Sequence, residues 1–175
     1  MFKRIVLGII LLTVIAVGVL FALKGKDNYD ASKYEVTASN GINTGSKLTL
    51  TLPDQFGNSH SLSDSTQKMI LVFSKETGHT VKEFLKQQEK GFLKSRNALF
   101  VADISPMPTI IRNTFALPDL KKSEYSVLLI YDEKIAETLK NGAKTDKIAV
   151  VSLENKTITD VKFITTADEL KSELQ

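Results

Sequence analysis

Residues 48–74 read LTLTLPDQFGNSHSLSDSTQKMILVFS, and the rest of the fold is built around them. Leu48, Leu50 and Leu52 alternate with Thr49 and Thr51, the period-2 pattern of a half-buried strand. Pro53-Asp54-Gln55-Phe56-Gly57-Asn58 turns the chain, and Ser59–Leu62 returns as the second arm of a hairpin. Met69-Ile70-Leu71-Val72-Phe73 is apolar at every position, as suits a strand at the centre of a sheet covered on both faces.

Downstream of Phe73 the pattern turns helical. Val81, Phe84, Leu85, Phe92 and Leu93 share one face, with lysines and glutamates opposite, and Gly91 marks a bend. Ala98–Ala102 is a second buried strand. Asp103-Ile104-Ser105-Pro106-Met107-Pro108 is a stiff loop. Thr109–Leu117 is expected as an amphipathic helix with Ile110, Ile111, Phe115 and Leu117 in the core, ended or kinked by Pro118. Val127–Tyr131 is a third buried strand, and Ile135–Leu139 a short helix or turn. Ile148–Leu153 and Ile158–Ile164 pair across Glu154-Asn155-Lys156. Thr166-Ala167-Asp168-Glu169 opens a final helix as a capping box. A strand–helix–strand unit followed by a late hairpin gives a mixed sheet with helices on its faces, an α/β class.

Upstream, Ile5–Leu23 carries no charge and is flanked by Lys3-Arg4 and by Lys24 and Lys26. As a helix it spans roughly 28 Å, close to the bilayer's hydrocarbon thickness. Two readings are open. A transmembrane signal anchor over residues 1–23 fits the length of the run. A cleaved signal peptide requires a shorter apolar region and small residues at its end, and Leu20-Phe21-Ala22-Leu23-Lys24 offers a poor site. Both deliver the remaining chain across a membrane. Residues 24–46 are rich in Asn, Asp, Ser, Thr and Gly and read as a polar tether, with an early strand at Lys33–Thr37.

Of 23 basic residues, Lys3 and Arg4 precede the span, so the others nearly balance the 20 acidic ones. The pI near 9.0 is therefore no sign of nucleic-acid binding, and no basic run with interleaved aromatics occurs. The chain has no cysteine, which excludes thiol catalysis and Cys-ligated zinc within it.

The element order resembles the thioredoxin fold. Leu50-Thr51-Leu52-Pro53-Asp54-Gln55-Phe56-Gly57-Asn58 with Ser61-Leu62 is similar to the N-terminal hairpin of peroxiredoxins and related exported thioredoxin-like proteins, and Met69–Ser74 to their central strand. The resemblance implies a thioredoxin-like domain over residues 47–175, a mixed β-sheet flanked by helices with an N-terminal β-hairpin, to which the apolar run adds an N-terminal transmembrane helix. In that family the reactive cysteine sits just past the central strand. Here that stretch is Ser74-Lys75-Glu76-Thr77-Gly78-His79-Thr80, so no redox role carries over. The proline that usually precedes the next antiparallel strand is expected before Val127, where Tyr125-Ser126 stands instead. The segment from Val101 to Pro118 also resembles a group of exported bacterial proteins of this fold, which implies no activity.

Ligands of such sheets bind at the carboxyl ends of parallel strands. On this topology Glu76, His79, Asp103, Tyr125 and Ser126 are expected along one edge as a candidate binding site. His79 and Asp103 could act as a base and its orienting carboxylate, with Ser74 or Ser126 as a hydroxyl. The plainer reading is that Thr77 or Thr80 caps a helix and His79 is solvated. The Pro106–Pro108 loop has two readings: it presents Met107 and Ile104 to a partner, or its prolines are simple punctuation. His60 and His79 lack metal-ligand spacing, and no phosphate loop occurs, so no cofactor and no metal are expected. The functional expectation is a membrane-anchored module on the periplasmic or extracellular side of the cytoplasmic membrane, binding or assisting another envelope protein. Two alternatives stand beside it: a redox accessory acting through a partner's cysteines, and a non-thiol enzyme using the same strand edge.

Overall fold

The computed structural model describes residues 2–175, with the side chains of residues 2–5, 7, 8 and 20 outside the description. Among the described residues, eight strands form two sheets. The smaller sheet is antiparallel: β1 (Glu35–Ile42), β2 (Leu48–Pro53) and β3 (Ser59–Ser61), in that order. The larger sheet has the order β6-β5-β4-β7-β8, from β4 (Lys68–Val72), β5 (Ala98–Asp103), β6 (Leu128–Ile130), β7 (Ile148–Glu154) and β8 (Thr157–Ile164). Strands β4, β5 and β6 are parallel, and β7 and β8 are antiparallel to their neighbours.

Alternation along β4 divides the core. Met69 and Leu71 join the hairpin leucines Leu48, Leu50 and Leu52 on one face, with Ile135, Ala136 and Leu139 of α6 (Glu133–Lys140). Ile70 and Val72 face Val81, Phe84 and Leu85 of α2 (Lys75–Lys86), Leu93 of α3 (Phe92–Ser95), and Leu170 and Leu174 of α7 (Ala167–Leu174). Phe73 packs with the first cluster, as its alternation with Met69 and Leu71 requires, and so does not lie under α2. Gly91 separates α2 from α3 in the left-handed region, φ 86°. The capping box at Thr166 and Glu169 is present.

A close approach joins the two parts. Ile42 N donates to Asn141 O at 2.8 Å, and a Cβ on Gly41 would lie 2.1 Å from that same carbonyl oxygen. Gly41 also has φ +55°, so only glycine fits both demands.

Three expectations need correction. Strand β6 runs parallel to β5, so its start at Tyr125-Ser126 lies at the edge opposite Asp103. The strand antiparallel to β4 is β7, and the proline position named by the resemblance falls at Lys147, also not a proline. Finally, Thr109–Leu120 is not a uniform amphipathic helix. It is α4 (Thr109–Ile111), a π turn over Arg112–Ala116, and α5 (Leu117–Leu120). Pro118 has no N–H and its ring crowds the preceding turn, and the chain accommodates it by widening: Leu117 N bonds to Arg112 O. Ile111 and Phe115 are exposed as a result, and Arg112 is the buried residue of the run.

Residues 24–46 are structured beyond the early strand expected there. Helix α1 covers Phe2–Lys24, a short 3-10 turn covers Ala31–Lys33, and β1 follows. Tyr29 stacks between Tyr34 and Tyr131, with centroids 5.4 and 4.8 Å away. Asp27 pairs with buried Arg112 at 2.5 Å, and the guanidinium lies 4.7 Å from the Tyr131 ring centre. Among the described residues, no helix is long and apolar enough to cross a membrane; Ile5, Leu7, Gly8 and Leu20 of the expected span lie outside them.

Candidate functional site

The first turn of α2 is set by two hydroxyls. Ser74 is the N-cap, accepting from Thr77 N at 3.2 Å, while Thr77 Oγ1 accepts from Ser74 N at 3.4 Å. This reciprocal cap uses both side chains, and Thr80 Oγ1 donates to Glu76 O. The plainer reading of Ser74–Thr80 thus describes the local structure, with Thr77 in the cap.

Beside this turn, on the face covered by α2, opens a groove of about 530 Å³ at the carboxyl ends of β4 and β5. Phe73, His79, Met107, Ala116, Leu120 and Tyr125 are among its walls. Its rim carries the close ion pair of Lys82 on α2 with Asp119 on α5, and Lys82 holds the Asp119 carboxyl below its usual range.

Of the expected residues, His79, Asp103 and Tyr125 line this groove, Tyr125 reaching it from the far edge of the sheet. His79 is exposed and has no hydrogen-bond partner among the described residues. Asp103 is engaged elsewhere. Its Oδ1 accepts from Ser105 N at 2.9 Å and Ser105 Oγ at 2.6 Å, and its Oδ2 lies 3.4 Å from Lys140 Nζ. No hydrogen bond therefore joins His79 to Asp103, and the base-and-orienter pair is not assembled. Burial raises the Tyr125 hydroxyl above its ordinary value. Glu76 is exposed in the first turn of α2, where a carboxylate suits the helix dipole, and it is not a wall of the groove. Ser126 is exposed and lines a separate cavity of about 610 Å³ together with His60. Met107 and Ile104 both line the groove, but Ile104 is buried in the core.

Sequence reasoning missed a second set of polar residues at the hairpin turn. Buried Asp54 accepts from Phe56 N, Asn58 N, Asn58 Nδ2 and His60 Nε2, at 2.8, 2.9, 3.0 and 3.0 Å. Burial alone would raise its pKa, but these bonds outweigh it and the net shift is downward. Gln55 Nε2 donates to Tyr125 O at 2.8 Å, and Gln55 Oε1 accepts from Val127 N at 2.9 Å. Gln55 thus pairs with the chain entering β6 as a strand backbone would. The Pro53–Asn58 motif is a clamp that fixes the hairpin to the main sheet and sets the backbone of Tyr125. His60 is accounted for by Asp54, and among the described residues no group of three or more metal-binding side chains is placed to hold an ion.

These features define a protein of thioredoxin-like fold that contains no cysteine. Its structure is similar to that of a candidate protein disulfide isomerase from Bacteroides thetaiotaomicron, at TM-score 0.53 and 14% identity, covering 81% of this chain and 90% of that one. It is also similar to a candidate thiol:disulfide interchange protein DsbE from Chlorobium tepidum, at TM-score 0.51 and 16% identity, covering 75% and 95%. At these identities the likeness is one of fold. No protein-family model matches the sequence, and no curated protein matches it.

Proposed function

We propose that the chain is a membrane-anchored, extracytoplasmic thioredoxin-like domain that binds an apolar segment of another envelope protein without thiol chemistry. One observation carries this reading. The strand edge at which ligands of such sheets bind holds an open apolar groove, while the hydroxyls beside it are committed to capping α2. The uncharged run Ile5–Leu23 supports the anchor, with Lys3 and Arg4 on one flank and Lys24 and Lys26 on the other.

A photo-crosslinking residue at Met107, a groove wall, tests the binding role in intact cells. It is expected to form a discrete adduct with an envelope protein. The same probe at Glu154, on the β7–β8 turn, is expected to form none. Ala116→Glu places a charge in the groove and is expected to abolish the Met107 adduct. Equal adducts from both positions, or an adduct that survives Ala116→Glu, would remove the groove from the function. A periplasm-active reporter fused after Gln175 is expected to be active, and an inactive one would overturn the localisation.

A further inference from the structure

The Thr109–Leu120 run is inside out for a helix facing water. Its arginine, Arg112, is 3% exposed, whereas Phe115 is 65% and Ile111 43% exposed. The inversion is built in. Arg112 is drawn inward by Asp27 and the Tyr131 ring, and the π turn before Pro118 leaves the two apolar side chains outward. The run is also tied to the end of α1. Asn113 Nδ2 donates to Lys24 O and to Lys26 O, both at 2.8 Å. Phe115 and Ile111 therefore each lie two residues from a direct tie to the chain where the apolar helix ends.

We propose that this run rests on the bilayer, with Ile111 and Phe115 inserted at the boundary between headgroups and acyl chains. The inference depends on the membrane-anchored reading above, because an embedded Ile5–Leu23 helix puts Lys24–Lys26 at headgroup level. Everything bonded to those residues is then held at that level too. Continuity with the span selects lipid as the occupant of the patch over a protein partner. Lys24 and Lys26 on one side and Lys121 and Lys122 on the other supply cations for anionic headgroups around the apolar pair.

The chain has no tryptophan, so a single introduced one reports alone. The full chain is reconstituted in vesicles of phosphatidylcholine and phosphatidylglycerol, with and without acyl-brominated lipid as quencher. Phe115→Trp is expected to emit at short wavelength and to lose about half of its fluorescence to the brominated lipid, as an interfacial side chain should. Glu154→Trp, at the opposite edge of the sheet, is expected to emit as a water-exposed indole and to be unaffected. Leu12→Trp, inside α1, reports the anchor itself. Quenching of Leu12→Trp without quenching of Phe115→Trp would overturn this inference and leave the anchor intact. No quenching at Leu12→Trp would overturn the anchor and this inference with it. Equal quenching at Phe115→Trp and Glu154→Trp would also overturn it, since adsorption would then lack the orientation proposed.

Discussion

Tyr29 stacks on Tyr131 with ring centres 4.8 Å apart and planes within 10° of parallel. The two residues belong to different parts of the chain: Tyr29 follows the apolar helix, and Tyr131 follows β6 at the carboxyl edge of the sheet. Tyr29→Ala is expected to release residues 27–34, seen as new protease cleavage at Lys26 or Lys33 and faster amide exchange there. Aromatic pairs of this kind contribute about 0.5–1.5 kcal/mol beyond area burial, so a stability loss of about 1–2 kcal/mol is expected. An unchanged cleavage pattern would show that the stack does not hold the segment.

Burial pushes the Tyr29 hydroxyl up to about 12, with Asp132 adding to the shift. A raised folded pKa means that the stabilisation is whole below about pH 10, the unfolded value, and is lost as pH rises through 12. Docking of residues 27–34 is therefore expected to weaken between those limits. Burial also raises Tyr125 and Tyr131, so an absorbance titration of tyrosinate should run late for three tyrosines, and Tyr29→Phe should remove the part near pH 12. Titration of all four tyrosines together near pH 10 would contradict it.

The two faces of β4 predict a contrast in stability. Ile70 is fully buried against the α2 side, and Ile70→Ala should cost about 2–5 kcal/mol. Phe73 is only partly buried, against the hairpin side, and Phe73→Ala should cost less, about 1–3 kcal/mol. Glu83→Ala, which removes only a surface pair with Lys86, should have the smallest effect of the three. Chemical denaturation measures all three, and a Phe73 effect larger than that of Ile70 would mean the faces are misassigned.

Removing the Gln55 side chain strands one buried N–H and loosens one carbonyl at the entry to β6. Gln55→Ala is expected to cost about 1–3 kcal/mol. It should also raise the fluorescence or crosslinking mobility of probes at Tyr125, while leaving the cap at Ser74 intact. A cost within about 0.5 kcal/mol of wild type would reduce Gln55 to a surface contact.

Without a cysteine the chain is expected neither to reduce disulfides nor to consume peroxide above a protein-free control, because both reactions need a thiolate. Glu76→Cys places a thiol in the first turn of α2 without touching the Ser74–Thr77 cap. The helix N-terminus should lower its pKa below the usual 8.5 or so, measurable from the pH dependence of alkylation. An ordinary thiol pKa there would show that this turn has no capacity to activate one.

Much of the fold was legible because local pattern and burial agree in it. Alternation at Leu48–Leu52, the apolar runs at Met69 and Ala98, and the Thr166–Glu169 box each specify an element with little help from elsewhere. What was not legible depends on partners far along the chain. A run such as Val127–Ile130, apolar on both faces, reads the same whichever way the strand runs, so its pattern does not tell the edge of Ser126 from that of Asp103. The stripe Ile110–Leu117 has helical spacing, but the missing N–H of Pro118 inserts a wide turn, and Arg112 gains an inward partner in Asp27, 85 residues away. Asp27, Tyr29 and Tyr34 show no period at all, since Asp27 docks onto Arg112, Tyr29 onto Tyr131 and Tyr34 onto Tyr29. Gln55 is unreadable for a similar reason: its backbone-like pairing is defined by the strand it meets.

The docked tyrosines change how this domain can encounter anything. As free chain, residues 24–46 would let the domain wander with an end-to-end distance of about 25 Å, sweeping a hemisphere above its attachment point. On the membrane-anchored reading proposed above, a domain held by Tyr29, Arg112 and Asn113 rides with its anchor, and its groove keeps one height and one orientation. Search is then reduced to lateral diffusion. On that reading the domain would be selective for partners that present their segment close to the plane from which α1 emerges, whatever the intrinsic affinity of the groove, and would ignore equally good sequences displayed further out.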